Sequence, residues 1–263
     1  MKGTSRMSGI PDNGDDPGKP SPSSHLLLLS PLASESLALS TGLSRFLGNP
    51  VKIPSISNEM IFSPYVTVRF LGPGAGPARR LESVQFSAFR KVLLAGFAGG
   101  LSVRATVGKA FAISELIGKD GRRLSLPSSA EWSRRLALET AVSVEADKIL
   151  ERPGEKSALF QKTQADLVDM ESYAWMQMIL NKVPDAGVLR VVSDDRETGL
   201  PREMMQFSDE NGMERRGRGF KALLKNPVTL APFFRALPTF LLARRTLVSL
   251  GEKLGETLWR DIR

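Results

Sequence analysis

The sequence predicts a single α/β domain. Short apolar runs of strand length stand at 26–29, 91–96 and 188–192, and the first of them leads into apolar residues recurring at helical spacing, as does a second, alternating run at 166–170. A chain of 263 residues, 41% of them hydrophobic, can bury one sizeable core, and α/β domains of this length commonly remain single. The absence of cysteine excludes disulfides and thiolate chemistry, and one histidine, His25, argues against a histidine-rich metal site, so a cytoplasmic, metal-free and cofactor-free protein is expected.

Residues 1–24 are rich in Gly, Pro, Ser and Asp and lack apolar periodicity, which predicts a disordered tail before a domain at 25–214. The Leu26–Leu29 run is too short, and too closely preceded by acidic residues, for a signal peptide, and reads as a first buried strand. Leu37, Leu39, Leu43 and Phe46 then mark an amphipathic helix with Ser34 near its start, which sets Glu35 just beyond the strand. Residues 65–71 alternate as a strand does, and Gly72-Pro73-Gly74-Ala75-Gly76 turns the chain into a helix near Pro77. Such a turn either admits an anion or a ribose to backbone N–H groups or simply lets the chain bend.

The strand at 91–96 is followed by Phe97-Ala98-Gly99-Gly100, where small residues serve close approach of a ligand or close packing of elements equally well. Gly118 to Gly121 predicts a hairpin-like turn, 140–144 a strand and 147–153 a loop. Asp166-Leu167-Val168-Asp169-Met170 alternates as a short strand, after which Ala174, Trp175, Met178 and Ile179 fall on one helical face, with Glu171 at the junction. A break at 185–187 leads into the last apolar strand, which ends in Ser193-Asp194-Asp195. In open α/β sheets ligands bind beyond the carboxyl ends of strands, so Glu35, Glu171 and Asp194 form a candidate site. The competing reading makes them helix caps, since carboxylates satisfy orphan N–H groups and the positive end of the helix dipole.

The run Val168-Asp169-Met170-Glu171-Ser172, followed by an apolar strand ending Val192-Ser193-Asp194, resembles the nucleoside phosphorylase and nucleosidase superfamily. The block from Val92 to Leu101, with Val107-Gly108 opening the next strand, is similar to the glycine-rich segment of 5′-methylthioadenosine/S-adenosylhomocysteine nucleosidases. The resemblance implies a three-layer domain with a central mixed, twisted sheet flanked by helices, and cleavage of a purine nucleoside at its N-glycosidic bond. It assigns Asp194 as general acid towards the purine, Glu35 as the residue that activates water, and Glu171 and Met170 as ribose contacts. Ser193 steadies Asp194, while Gly74, Gly76, Gly96 and Phe97 line the substrate site. Hexameric purine nucleoside phosphorylases of the superfamily carry a phosphate-binding arginine two residues before the glycine matching Gly96, where this chain has Leu94. Arg79, Arg80 and Arg104 are the nearby cations that would have to replace it, and water is therefore favoured over phosphate.

Residues 215–263 hold eleven Lys or Arg against three acids, a local net of +8 that equals the net charge of the whole chain. Within them a proline-broken apolar stretch, 227–238, precedes a stripe of Phe240, Ala243, Leu247, Leu250, Leu254 and Leu258, flanked by Arg244, Arg245, Lys253 and Trp259. Such a segment either anchors on an anionic membrane surface or packs on the domain with a solvated basic face. A Lys-Asn-Pro followed by an apolar, Arg-rich helical extension is similar to the hopanoid-associated phosphorylase subgroup, which implies a lipid-linked nucleoside, adenosylhopane, as substrate and adenine as product. No nucleic-acid partner is expected, and a homo-oligomer is. The alternatives are a soluble methylthioadenosine-type nucleosidase or purine nucleoside phosphorylase and, outside enzymes, a nucleoside-binding or membrane-adaptor protein.

Overall fold

The structure is a computed structural model that describes residues 25–52, 58–62, 66–74, 78–199, 209, 211–213 and 230–262. Expectations for residues 1–24, Gly76, Pro77 and most of 200–229 therefore lie outside the described residues.

The Leu26–Leu29 run forms β1 (Leu26–Ser30), fully buried at the centre of the sheet, and its uninterrupted apolar character is what a strand covered on both faces requires. It pairs in parallel with β4 (Val66–Phe70) on one side and β5 (Lys91–Gly100) on the other. β3 (Glu59–Phe62) and β2 (Val51–Lys52) extend the β4 edge in antiparallel fashion. Beyond β5 the sheet closes on itself. β5 pairs with both β10 (Ala186–Asp194) and β9 (Leu167–Asp169), while β10 reaches β9 again through β6 (Ala110–Ile117) and β8 (Glu139–Glu145). The hairpin at 118–121 adds a short strand, β7 (Arg123–Ser125), to β6.

β5 runs to Gly100 rather than stopping at Gly96, so the small-residue segment is itself strand. Gly99 and Gly100 pair with Val168 and Leu167 of β9, and a Cβ on Gly99 would stand 3.2 Å from the Val168 side chain and 3.3 Å from the Asp194 carboxylate. Helices α1 (Ala33–Leu47) and α3 (Ser129–Leu136) pack against the sheet beside the long C-terminal helix, while α2 (Ala78–Leu81) and α5 (Ser172–Leu180) pack together elsewhere. α4 (Pro153–Thr163) follows the loop at 147–153, with proline at its start where the missing N–H is harmless.

The C-terminal helix, α6, spans Leu230–Ile262 and continues through Pro238, so the proline-rich stretch is helical from Leu230 onward instead of broken. Its stripe is core. Ala243, Leu247, Leu250 and Leu254 are all buried against α1 and the sheet, in one cluster with Leu39, Leu43 and Leu189. Packing on the domain, the second of the two readings of that stripe, is the one the structure adopts. The approach of α6 to α1 is close enough that a Cβ on Gly42 would collide with the α6 backbone at Val248 and Glu252, and one on Gly251 with the Leu39 carbonyl. No described helix is long and apolar enough to cross a membrane.

Leu247→Ala should cost about 2–5 kcal/mol, the range for deleting a buried leucine side chain, and should shift the denaturant midpoint accordingly. A change within a few tenths of a kcal/mol would mean that α6 is not part of the cooperative core.

Candidate active site

The carboxyl ends of β1, β5, β9 and β10 meet the first turn of α1 and the N-terminal half of α6 around a cavity of about 790 Å³. Glu35, Phe97, Met170, Glu171, Ser193 and Asp194 line it. Gly96 and Gly74 do not. Pro73 faces the cavity in the glycine-rich turn, whereas Gly74 adopts a left-handed φ of +82° and its carbonyl accepts the Trp175 indole N–H at 3.2 Å. Gly96 sits behind the wall, where a Cβ would stand 2.6 Å from Glu35 Oε1 and 2.8 Å from Arg190 Nη1. Its lack of a side chain is what leaves room for both groups behind the strand.

Glu35 is 2% exposed. Oε2 accepts the Leu32 N–H at 2.8 Å, closing the start of its own helix, and Oε1 accepts the Phe97 N–H of β5 at 2.7 Å. The cap reading thus describes one oxygen, and the other ties helix to sheet at the cavity wall. Burial pushes the Glu35 carboxyl up to about 7, against the lowering pull of the Phe97 N–H and Arg190.

Asp169 caps α5, its Oδ1 accepting the Glu171 and Ser172 N–H groups at 3.1 and 2.8 Å, and its Oδ2 accepting the Ser143 hydroxyl. That frees Glu171 from capping. Glu171 Oε1 instead accepts Arg190 Nη2 at 2.7 Å, and burial raises its carboxyl to about 8 despite Arg190, with the nearby Asp169 and Glu35 charges adding to the rise.

Arg190 is fully buried in the middle of β10 and was not legible as a site residue. It holds Glu171 and the Ser172 hydroxyl, stands 3.4 Å from Asp169, and its Nη1 has no hydrogen-bond partner among the described residues. The available signal was an arginine inside an otherwise apolar strand, since a charge at a strand position covered on both faces must be paired.

The β10–β5 register shifts between Val192 and Asp194, so a bulge at Ser193 re-aims Asp194 towards the cavity. Asp194 Oδ1 accepts the Ser193 hydroxyl at 2.6 Å. Oδ2 is paired with Lys156 of α4, a second buried cation that the sequence reading passed over because the helix carrying it was not foreseen. Burial raises the Asp194 carboxyl, and Lys156 and Ser193 oppose the rise. Asp195 faces away, accepting the Glu197 and Thr198 N–H groups. From the loop at 147–153, Lys148, Ile149 and Leu150 also reach the cavity.

Of the cations weighed as a phosphate ligand, neither Arg80 nor Arg104 lines the cavity. Arg80 hydrogen-bonds the Leu71 carbonyl, Arg104 pairs with Asp166 at 2.9 Å, and the Arg79 side chain is outside the described residues. Leu94 lies buried in the core. Among the described residues no cluster of His, Asp and Glu could hold a metal ion.

A mixed α/β sheet with a carboxylate-lined cavity at its strand ends places the chain in the nucleoside phosphorylase-like fold class. Within that class its fold is that of 5′-methylthioadenosine/S-adenosylhomocysteine nucleosidases and futalosine hydrolase. The Helicobacter pylori nucleosidase superposes with a TM-score of 0.58 at 15% identity over 92% of this chain and 99% of its own. The Arabidopsis thaliana 5′-methylthioadenosine nucleosidase gives 0.57 at 17% identity, over 92% and 96%. Futalosine hydrolase of Helicobacter pylori gives 0.54 at 16%, over 83% and 97%. No family model matches the chain, and no curated protein matches it by sequence.

Gly96→Ala should force Glu35 and Arg190 apart and destabilise the fold by about 1–3 kcal/mol, the usual cost of overpacking. Unchanged stability in a denaturant titration would mean that the Glu35–Arg190 approach is loose.

Proposed function

We propose that the protein hydrolyses the N-glycosidic bond of a 5′-substituted adenosine and releases adenine, and that the 5′-substituent is long and apolar, as in the lipid-linked nucleoside adenosylhopane. The observation that carries the apolar substituent is the wall supplied by α6. Phe233, Phe234, Leu237, Phe240 and Leu241 line the cavity from α6, with the Phe240 ring tilted against Phe97 at 5.1 Å between centroids. A methylthio group needs no such surface. Transferring an alkyl chain onto it from water gains about 0.8 kcal/mol for each buried CH₂.

Asp194 is the general acid that protonates the purine, so that adenine leaves as a neutral base. Glu171, with Oε1 held by Arg190, offers Oε2 to the ribose 2′- and 3′-hydroxyls, contacts that strengthen as positive charge develops on the ring. Met170 packs beside the sugar. Glu35 takes the proton of the attacking water, and Arg190 leaves a donor free beside it. The placement of Arg80 and Arg104 away from the cavity favours water over phosphate.

Leu37, Phe234 and Leu241 of the lining are exposed and form the cavity mouth, and Arg244 lines the cavity with them. On this reading the mouth, rather than the buried stripe of α6, is the surface that meets an anionic membrane holding the substrate.

Adenine release from 5′-alkylthioadenosines of increasing chain length should rise in kcat/KM with length and be indifferent to phosphate. A preference for the methylthio compound would reassign the protein to soluble nucleosidases, and strict phosphate dependence would replace water as nucleophile. Because Glu35 must be ionised to accept a proton and sits at about 7, kcat/KM should fall as pH drops below about 7. Glu35→Gln should remove that acid limb together with most of the rate, and a limb that survives the substitution belongs to another group.

A further inference from the structure

Lys156 is the buried cation that the mechanism above leaves unused. Its residue is 0% exposed, yet its ammonium reaches the cavity wall. Three oxygens surround Nζ: Asp194 Oδ2, the Asp195 carbonyl at 2.5 Å and the Asp194 carbonyl at 3.4 Å. Asp194 is its only ion-pair partner among the described residues. The other charged groups that border the cavity are engaged elsewhere or lie apart from this pair. Glu171 and Asp169 face Arg190, Glu35 is bound to backbone N–H groups, Asp195 turns its carboxylate to Thr198, Lys148 pairs with Glu155, and Arg244 comes from α6.

A lysine that only stitched α4 to the end of β10 would not need its charge there. Burying an ion pair is seldom better than burying apolar groups of similar size, and neutral hydrogen bonds to the two carbonyls would join the elements as well. The arrangement around Nζ has a property that stitching does not use. Two of its acceptors are backbone carbonyls, which suit an ammonium and an amine alike, and the third is Asp194 Oδ2, so the nitrogen can give a proton to Asp194 without moving.

We propose that Lys156 supplies the proton that Asp194 delivers to the leaving base, a proposal that rests on the nucleosidase reading of the site. The pair is already almost dry, its side chains 1% and 6% exposed. Once a nucleoside covers the little of Asp194 that faces the cavity, an ammonium–carboxylate pair has no water left to solvate it, whereas an amine–carboxylic acid pair needs little. The Nζ–H bond breaks, its electrons remaining on nitrogen, and Asp194 becomes a carboxylic acid. That proton then passes to the purine ring nitrogen while the electrons of the bond from C1′ to the base move into the purine. Water oxygen bonds to C1′ and its proton goes to Glu35. The turnover ends with neutral Lys156, ionised Asp194 and protonated Glu35, and exchange with solvent on product release returns one proton from Glu35 to Lys156. Burial raises the affinity of Asp194 for a proton, which favours the transfer. Lys156 acts through Asp194 and is a positioning residue in this scheme.

The test compares 5′-methylthioadenosine with its N7-methylated analogue, whose base already carries positive charge and leaves without protonation. Lys156→Met and Lys156→Arg are assayed on the full chain beside Asp194→Asn, which sets the loss expected when the acid is removed, on the order of a hundredfold. Met cannot give a proton, and Arg keeps the charge but holds its protons too tightly to release one. Both should lower kcat on 5′-methylthioadenosine by about tenfold or more, and by much less on the N7-methylated analogue. Lys156→Gln, which retains a donor for the carbonyls, is made alongside so that poor folding of the Met variant decides nothing. Recovery of the rate by Arg overturns the proposal in favour of charge alone, and equal losses on both substrates overturn it in favour of a structural role. A wild-type protein that releases base from neither nucleoside sinks the nucleosidase reading itself, and this proposal with it.

Discussion

One guanidinium holds this site together. Arg190 stands in the middle of β10, between β5 and β6, and around it gather Glu171, Asp169 and, across Gly96, Glu35. Burial first, and the neighbouring carboxylates to a lesser degree, lift Glu35 and Glu171 towards neutrality against the pull of Arg190. Remove the cation and the same burial leaves acidic groups with no counter-charge; remove an acid and the arginine is left over-supplied with unpaired N–H groups. The site and the core are therefore one structure at this point, because breaking a buried charge pair typically costs about 3–5 kcal/mol.

The second buried pair obeys different rules. Asp194 and Lys156 are joined one to one and lie on the cavity surface, at the end of β10 where the bulge at Ser193 ends regular pairing. Arg190 cannot give up a proton under ordinary conditions, while a lysine can. The nature of the cation thus divides the cavity wall: the permanent charge of Arg190 holds Glu171 in place, and a lysine stands next to Asp194.

Much of this could be read from residues alone, and the parts that could not share a cause. The strands were legible because an unbroken apolar run such as Leu26–Leu29 has few other physical explanations, and Glu35, Glu171 and Asp194 stood out because each is polar at the point where such a run ends. Period locates a residue on an element but says nothing of its partner. Arg190 therefore passed as one polar interruption in an apolar strand, and Lys156, in the unremarkable run Pro153-Gly154-Glu155-Lys156, drew no reading at all. The stripe on α6 was visible for the same reason the strands were, yet its flanking arginines suit lipid and water equally, and only the contact with α1 shows which way it faces. Gly96 shows the converse limit: a glycine signals close approach, and the sequence does not say whether a ligand or two side chains make the approach.

Helix α6 has a consequence for how the molecule comes into being. It is the last element of the chain described, and it both packs Ala243, Leu247, Leu250 and Leu254 into the core and forms one wall of the cavity. On a ribosome the strands and all the carboxylates would emerge before it, exposing an apolar groove lined with acids that would have to be buried. Only when the 33 residues of α6 dock does that groove become a chamber. Occupancy of the chamber and docking of the helix are then linked equilibria, so any apolar guest that touches both α6 and β5 acts as a clasp on the finished fold.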